Sequence, residues 1–388
     1  MKILKTLFLS TLLVISTQAL TMEEEMAQMQ AEFSSYKMTQ ENEFDKYKKE
    51  LDEEYKAYKG ELGKFWKDPK LSSKKEWVSY SEDKKSRSEV DFEKNEIVIE
   101  TIAPSKEIAQ KQLQKRLNYA VSKSTEEVIK TDPLQKKVAE ISKKIDKFKT
   151  KKDDKPILSN IVFDKKPTKK DVKKYVSKTL EKSKIEVKKS KLKDEKVYRI
   201  RVALPKNSTL KKSKAYEADV RKNAKRFEIP VPLIFAIIQT ESDFNPFAKS
   251  HIPAFGLMQV VPTSAGRDIY KFLYKKKGMP SATYLYSGKN NIEMGSTYLH
   301  ILYYRYLKKI KNPQSRLYCS IAAYNTGAGN IAWAFTRKYN VNKAVGKINA
   351  MTPEEVYNHL QANLRFDEPK HYLKRVRKRM PAYSAAYN

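Results

Sequence analysis

The stretch IFAIIQTESDFN, Ile234–Asn245, decides how the C-terminal half of this chain reads. Six of the eight residues Leu233–Thr240 are apolar or alanine, and they run straight into Glu241-Ser242. Pro230-Val231-Pro232 ahead of them presets φ for a helix start. The expectation is an apolar helix with a carboxyl group at its C-terminal end. Burial against such a surface disfavours the charged carboxylate and raises its pKa. A general acid working near neutral pH needs that shift. Taken alone, the stretch fits an exposed glutamate at a helix end more simply.

Two further motifs change the balance. FGLMQVVP, Phe255–Pro262, puts a glycine, a flexible apolar side chain and an amide in one turn. Met258 has the adaptability to pack on a sugar face, and Gln259 can donate and accept at once. AAYNTGAG, Ala322–Gly329, sets the phenol of Tyr324 and the amide of Asn325 before Gly327 and Gly329. Glycines there permit a tight turn and close approach of a bulky ligand. Separately, these motifs also fit an ordinary loop with a core methionine and a helix C-terminus with a packed tyrosine.

Around these motifs, Ser208 onward reads as helices with almost no strand signal. The expected helices are Ala215–Phe227, Leu233–Thr240, a short one from Ser264, Ile292–Leu307, Gln314–Tyr324, Asn330–Phe335, Pro353–Leu360 and Lys370–Pro381. The half before it is mixed. Val90, Phe92, Ile97 and Ile99 alternate around Lys94-Asn95, which predicts a hairpin over Ser88–Thr101. Ile108–Lys130 and Thr168–Lys182 read as helices, and Val197–Leu204 as a strand. Lys136–Lys155 is dense in lysine and predicts a solvated insertion with some helical spacing. Leu71–Lys75 reads as a Ser/Lys-rich linker.

Farther upstream, Phe33, Tyr36, Phe44, Tyr47, Leu51, Tyr55, Tyr58, Leu62 and Phe65 recur mostly at steps of three or four. They form one face of a long helix or a coiled-coil seam. That face predicts packing on this chain, with docking to another envelope protein as the alternative. Lys2, Lys5 and the apolar run Leu7–Ile15 make an export signal with a cleavage site near Thr17-Gln18-Ala19. No cysteine follows it for a lipid anchor, so a membrane is a partner only if the signal is retained. The expected location is the periplasm of a Gram-negative-type cell.

The fold class expected is mainly α. A signal at 1–19 precedes a charged amphipathic helix at 22–68, a small α+β domain at 75–206 and a helical domain at 208–388. The formal charge of +33 draws the chain to anionic polymers. Cys319 is the single cysteine and the four histidines lack ligand spacing, so no metal site is expected. Export, and the lack of a base-reading motif, argue against nucleic acid.

The order ES-x-FNP-x-A-x-S, GLMQV-x-PT, AYN-x-GAGN resembles the lytic transglycosylases related to goose-type lysozyme, glycoside hydrolase family 23. The resemblance covers about 85–388 and is strong from about 215. It leaves 22–66 and the lysine-rich insertion without a counterpart. It implies a lysozyme-like helical domain acting on peptidoglycan glycan strands with no cofactor. It also implies Glu241 as the catalytic acid and base, with Ser242 supporting its helix end. Ser250, Met258 and Gln259 would line the groove, Tyr324 and Asn325 would sit by the scissile bond, and Glu368 and Tyr372 would lie nearby. Most glycosidases use two carboxylates. Here Asp243 is two residues from Glu241 and would point elsewhere on a helix. The implied chemistry is therefore non-hydrolytic cleavage with ring closure to 1,6-anhydroMurNAc. A hydrolytic lysozyme on the same fold and a non-catalytic wall-binding scaffold are the alternatives.

Overall fold

A computed structural model describes residues 45–145, 153–205, 208–251 and 253–387. The export signal, the upstream seam residues Phe33, Tyr36 and Phe44, and Phe148 of the insertion lie outside the described residues. From Tyr47 on, the chain forms one unit.

The seam helix is present as α1 (residues 45–62). Tyr47, Leu51, Tyr55, Tyr58 and Leu62 are all buried. The Tyr55 hydroxyl lies 3.1 Å from that of Tyr286, and the Ala282 N–H donates to the Tyr47 hydroxyl at 2.9 Å. This stretch of the seam therefore packs on its own chain, and it leaves no free apolar face for another protein there.

The expected hairpin is β2 (Ser86–Asp91) with β3 (Glu96–Ala103), in a register pairing Ser88 with Ile99 and Val90 with Ile97. Asp91 makes the turn by accepting from the N–H groups of Glu93 and Lys94. Three strands join it: β1 (Glu76–Tyr80), β4 (Glu186–Lys189) and β5 (Lys196–Ala203). The sheet is antiparallel throughout, in the order β1-β2-β3-β5-β4. Strands β1 and β4 are absent from the sequence reading, because five and four residues are too short to show a clear alternation.

On this sheet lies α2 (Lys106–Ser122), whose Leu113, Leu117, Ala120 and Val121 are fully buried. The helix expected to run to Lys130 breaks instead at Lys123. There Ser124 and Glu127 form a capping box that starts α3 (Thr125–Thr131). The first part of the lysine-rich insertion takes up the helical spacing and is not merely solvated. Asp132 caps α4 (Pro133–Lys143), which buries Leu134 and Val138 and carries the Lys137–Glu54 ion pair at 2.7 Å. Two apolar residues at helical spacing and a good cap outweigh the lysines, whose heads stay in water. Helices α5 (Ser159–Val162) and α6 (Lys169–Lys182) complete this half.

The C-terminal half is helical. Helix α7 (Ser208–Phe227) buries Tyr216, Val220 and Phe227. The Lys212 ammonium, itself buried, donates to the Phe92 carbonyl and to Asn95 Oδ1, which ties α7 to the β2–β3 turn. Helix α8 (Val231–Ser242) is the axis of the core, with Leu233–Ile238 sealed from solvent. Around it come α9 (Arg267–Tyr274), α10 (Ala282–Tyr286), α11 (Gly288–Ile301), α12 (Pro313–Thr326), α13 (Ala328–Thr336), α14 (Val341–Asn349), α15 (Pro353–Asn363) and α16 (Asp367–Tyr387). Short π-helical turns, Pro262–Gly266 and Leu302–Tyr306, lead into α9 and out of α11.

Helix α16 does not stop at Pro381 as the sequence suggests. Beyond the proline, Tyr383 and Tyr387 stack on Phe235 of α8 at 5.3 and 4.5 Å between ring centroids. That packing holds the helix through a position that lacks an N–H donor.

Candidate active site

The last turn of α8 positions the site. Glu241 and Ser242 end the helix, and the chain reverses through Asp243 (φ 49°) and Phe244 (φ 71°), both in the left-handed region. A bulky residue adopts that conformation only when its surroundings hold it. Here Phe244 is buried between Tyr216 and Phe235. Ser242 Oγ donates to the Leu257 carbonyl at 2.8 Å and accepts from the Phe244 N–H at 3.1 Å, so it binds the helix end to the Gly-Leu-Met-Gln turn.

That turn requires Gly256. Its φ is +75°, and a Cβ there would overlap the Leu285 carbonyl and the Asn291 side chain. Asn291 of α11 pins the turn from beneath. Its Nδ2 donates to the carbonyls of Phe255 and Leu285, both at 2.8 Å, and its Oδ1 accepts from the Met258 N–H at 2.7 Å. Sequence reasoning missed Asn291, since an asparagine in a helical run carries no local sign that it is buried. Tyr324 closes the arrangement, its hydroxyl donating to the Met258 carbonyl at 2.9 Å. Tyr298, also missed, packs its ring 5.5 Å from that of Tyr324. The three motifs, the third distant in the chain from the first two, thus meet at one turn.

Glu241 is the buried acid of this cluster. Its side chain is 7% exposed, and Lys74 Nζ lies 3.8 Å from Oε2. Burial pushes its pKa up to about 7, and Glu368 pushes the same way. Lys74, the Tyr372 hydroxyl and Lys75 act against the rise. Tyr372 is fully buried and its hydroxyl faces Glu241, but it lies outside the geometry of a formed hydrogen bond. Tyr324 also feels the Glu241 charge, which together with burial drives its own pKa well up. Burial thus favours the protonated form of Glu241 and the neutral forms of the two phenols beside it.

The other expected site residues are placed unevenly. Asp243 does not face Glu241; it pairs with Lys75 at 2.8 Å. Glu368 stands in the first turn of α16, half exposed and 3.6 Å from Arg375. Gln259 commits its Nε2 to the carbonyls of Ala248 and Gly256, and its Oε1 is sealed from solvent without a hydrogen-bond partner, so it braces the turn from within. Asn325 is half buried beside Tyr324 in the chain. Ser250 accepts from the Ala254 N–H and braces the loop before the turn. Met258 requires correction. It is sealed from solvent and packs on Gly295, where a Cβ would overlap its sulfur, so it is a core residue and not a groove residue. Phe255 likewise turns inward, edge-on to Tyr286.

Comparison with known proteins gives the class to which a chain with this candidate site belongs. The transglycosylase SLT domain profile matches residues 219–346, and that of the N-terminal domain of membrane-bound lytic murein transglycosylase C matches 44–215. The second match covers α1 and the lysine-rich insertion, for which the sequence motifs had offered no counterpart. Membrane-bound lytic murein transglycosylase C of Serratia proteamaculans is 33% identical over 316 residues, 81% of this chain and 83% of that one. That of Klebsiella pneumoniae is 32% identical over 316 residues, with the same coverage. That of Sodalis glossinidius is 43% identical over 180 residues, 46% of this chain and 50% of that one. The chain belongs to the membrane-bound lytic murein transglycosylase C family and is a lytic transglycosylase. Among solved structures, the lytic transglycosylase Slt of Pseudomonas aeruginosa, an inactive mutant, matches with 21% identity and a TM-score of 0.35, over 46% of this chain and 27% of that one. The 70 kDa soluble lytic transglycosylase of Escherichia coli matches with 27% identity and a TM-score of 0.34, over 44% of this chain and 24% of that one. At such scores neither bears on the fold.

Proposed function

We propose that this enzyme cleaves the β-1,4 bond between MurNAc and GlcNAc in peptidoglycan without water, and that Glu241 is both its acid and its base. One observation carries the reading: the buried Glu241 carboxyl at the meeting point of the three motifs, with its pKa near 7, while the neighbouring buried Asp243 is committed to Lys75. Protonated Glu241 gives its proton to the glycosidic oxygen as that bond breaks. The N-acetyl group of the muramic sugar stabilises the cation at C1. The carboxylate of Glu241 then takes the proton of the C6 hydroxyl, whose oxygen bonds C1 and closes a 1,6-anhydro ring. A pKa near the working pH suits a group that must give and then take a proton. Tyr324 and Tyr372 stand beside Glu241 to orient the reacting groups, Gln259 fixes the turn beneath them, and the half-buried Asn325 adds an amide for the sugar.

Hydrolysis is the second reading, favoured by Glu368, which is close enough to act on the charge of Glu241. It needs a carboxylate that activates water. Product analysis separates the two. Digests of purified sacculi, analysed by mass, are expected to carry anhydro ends one water lighter than reducing MurNAc; reducing ends would establish hydrolysis instead. The chain acts in the cell envelope, and Lys2, Lys5 and Leu7–Ile15 support export to the periplasm. Among the described residues no helix is long and apolar enough to cross a membrane.

A further inference from the structure

The segment Leu71–Lys75 reads as a linker in sequence, yet it reaches the site. The last carbonyls of a helix have no partner within it. At the end of α8 they find Lys75, whose Nζ donates to the carbonyls of Gln239 and Thr240 at 3.0 Å each and to Asp243 Oδ2 at 2.8 Å. A cation at a helix C-terminus also complements the helix dipole. Asn245 Nδ2 donates back to the carbonyls of Ser73 (3.2 Å) and Lys74 (3.4 Å). The ring of Trp77 in β1 stacks on Phe247 at 5.9 Å between centroids. The segment is therefore fastened on both sides of Glu241.

Lys74 stands between these fastenings. Its side chain is 42% exposed, and its ammonium is 3.8 Å from Glu241 Oε2. The other groups facing Glu241 come from two helices and the same segment: Tyr324 of α12, Glu368 and Tyr372 of α16, and Lys75. Arg379 of α16 is held by Thr240 Oγ1 at 2.7 Å, and Lys75 by Asp243. Among the described residues, Lys74 is the cation that forms an ion pair with the acid itself.

We propose that Lys74 is a positioning residue of the reaction, whose ammonium stabilises the Glu241 carboxylate left after proton donation, and that Lys75 holds the helix end where Lys74 can reach it. The sheet-bearing half thereby supplies part of the active site. The proposal rests on Glu241 being the acid, and the test separates the two. The full chain is prepared as wild type, Lys74→Met and Lys74→Arg, with glutamate carrying a 13C-labelled carboxyl group. The Glu241 signal is assigned by its loss in Glu241→Gln and titrated by NMR, and kcat/KM on solubilised glycan strands is followed against pH. Lys74→Met removes a cation that favours the charged form, so the Glu241 titration should move to higher pH by roughly half a unit or more. The alkaline limb of the rate profile should follow it, and Lys74→Arg should restore both. A titration unmoved in Lys74→Met overturns the proposal whatever the rates do. A titration that moves without the limb overturns instead the assignment of Glu241 as the acid.

Discussion

In the proposed mechanism Glu241 serves because its position is unfavourable for a charge. Ordinary glutamate ionises near pH 4.5, and burial here holds the proton to about pH 7. The same shift has a cost in stability. The folded state binds the Glu241 proton more tightly than the unfolded chain does. Its contribution is therefore intact below about pH 4.5 and lost as pH rises toward 7. Glu241→Gln removes that penalty. The variant should unfold later than wild type at pH 8, by up to about 3 kcal/mol, with the gap closing at pH 4.5. Thermal or urea unfolding at the two pH values measures this, and equal gaps at both would mean that Glu241 is not held neutral by burial. Gln259 shows how far a residue's type can be read. Its amide suggested a group that both donates and accepts, but the fold spends the donor on two carbonyls and buries the acceptor.

At the scale of elements, the turn that carries Gln259 depends on Asn291, a polar residue outside the three motifs. Asn291 satisfies one carbonyl and one N–H of the turn that carries Gln259, and a carbonyl of α10 besides. Asn291→Ala leaves these buried groups without partners, at a cost of roughly 2–4 kcal/mol. Denaturant unfolding should show that loss, together with a fall in kcat that Gly295→Ala, aimed at the Met258 packing, need not share. The motifs of α8, α12 and the turn were legible because their residue types and spacing are specific. The hairpin was legible because Val90, Ile97 and Ile99 alternate cleanly. Asn291 was not, since nothing local distinguishes a buried asparagine that pins a loop from one on a surface. Helix α14 was passed over because it buries only Ala344 and Ile348. Lys74 and Lys75 were opaque for a different reason. Their partners lie more than a hundred and sixty residues along the chain, and a Ser/Lys-rich stretch looks the same whether it is solvated or docked.

At the scale of the molecule, the two halves share their critical contacts. Lys212 reaches into the β2–β3 turn, Trp77 stacks on Phe247, and the segment before β1 caps the helix that carries Glu241. The sheet half is built into the enzyme, which agrees with a family likeness that extends from residue 44 through the SLT domain. All of this converges on one carboxyl group, and the most direct measurement is digestion of purified sacculi by wild type and by Glu241→Gln under identical conditions. Wild type should release soluble fragments. Removing a general acid costs about 10²–10⁴ in rate, so Glu241→Gln, folded and at least as stable at pH 8, should release them at a rate lower by that factor. Release by the variant at the wild-type rate would contradict the account.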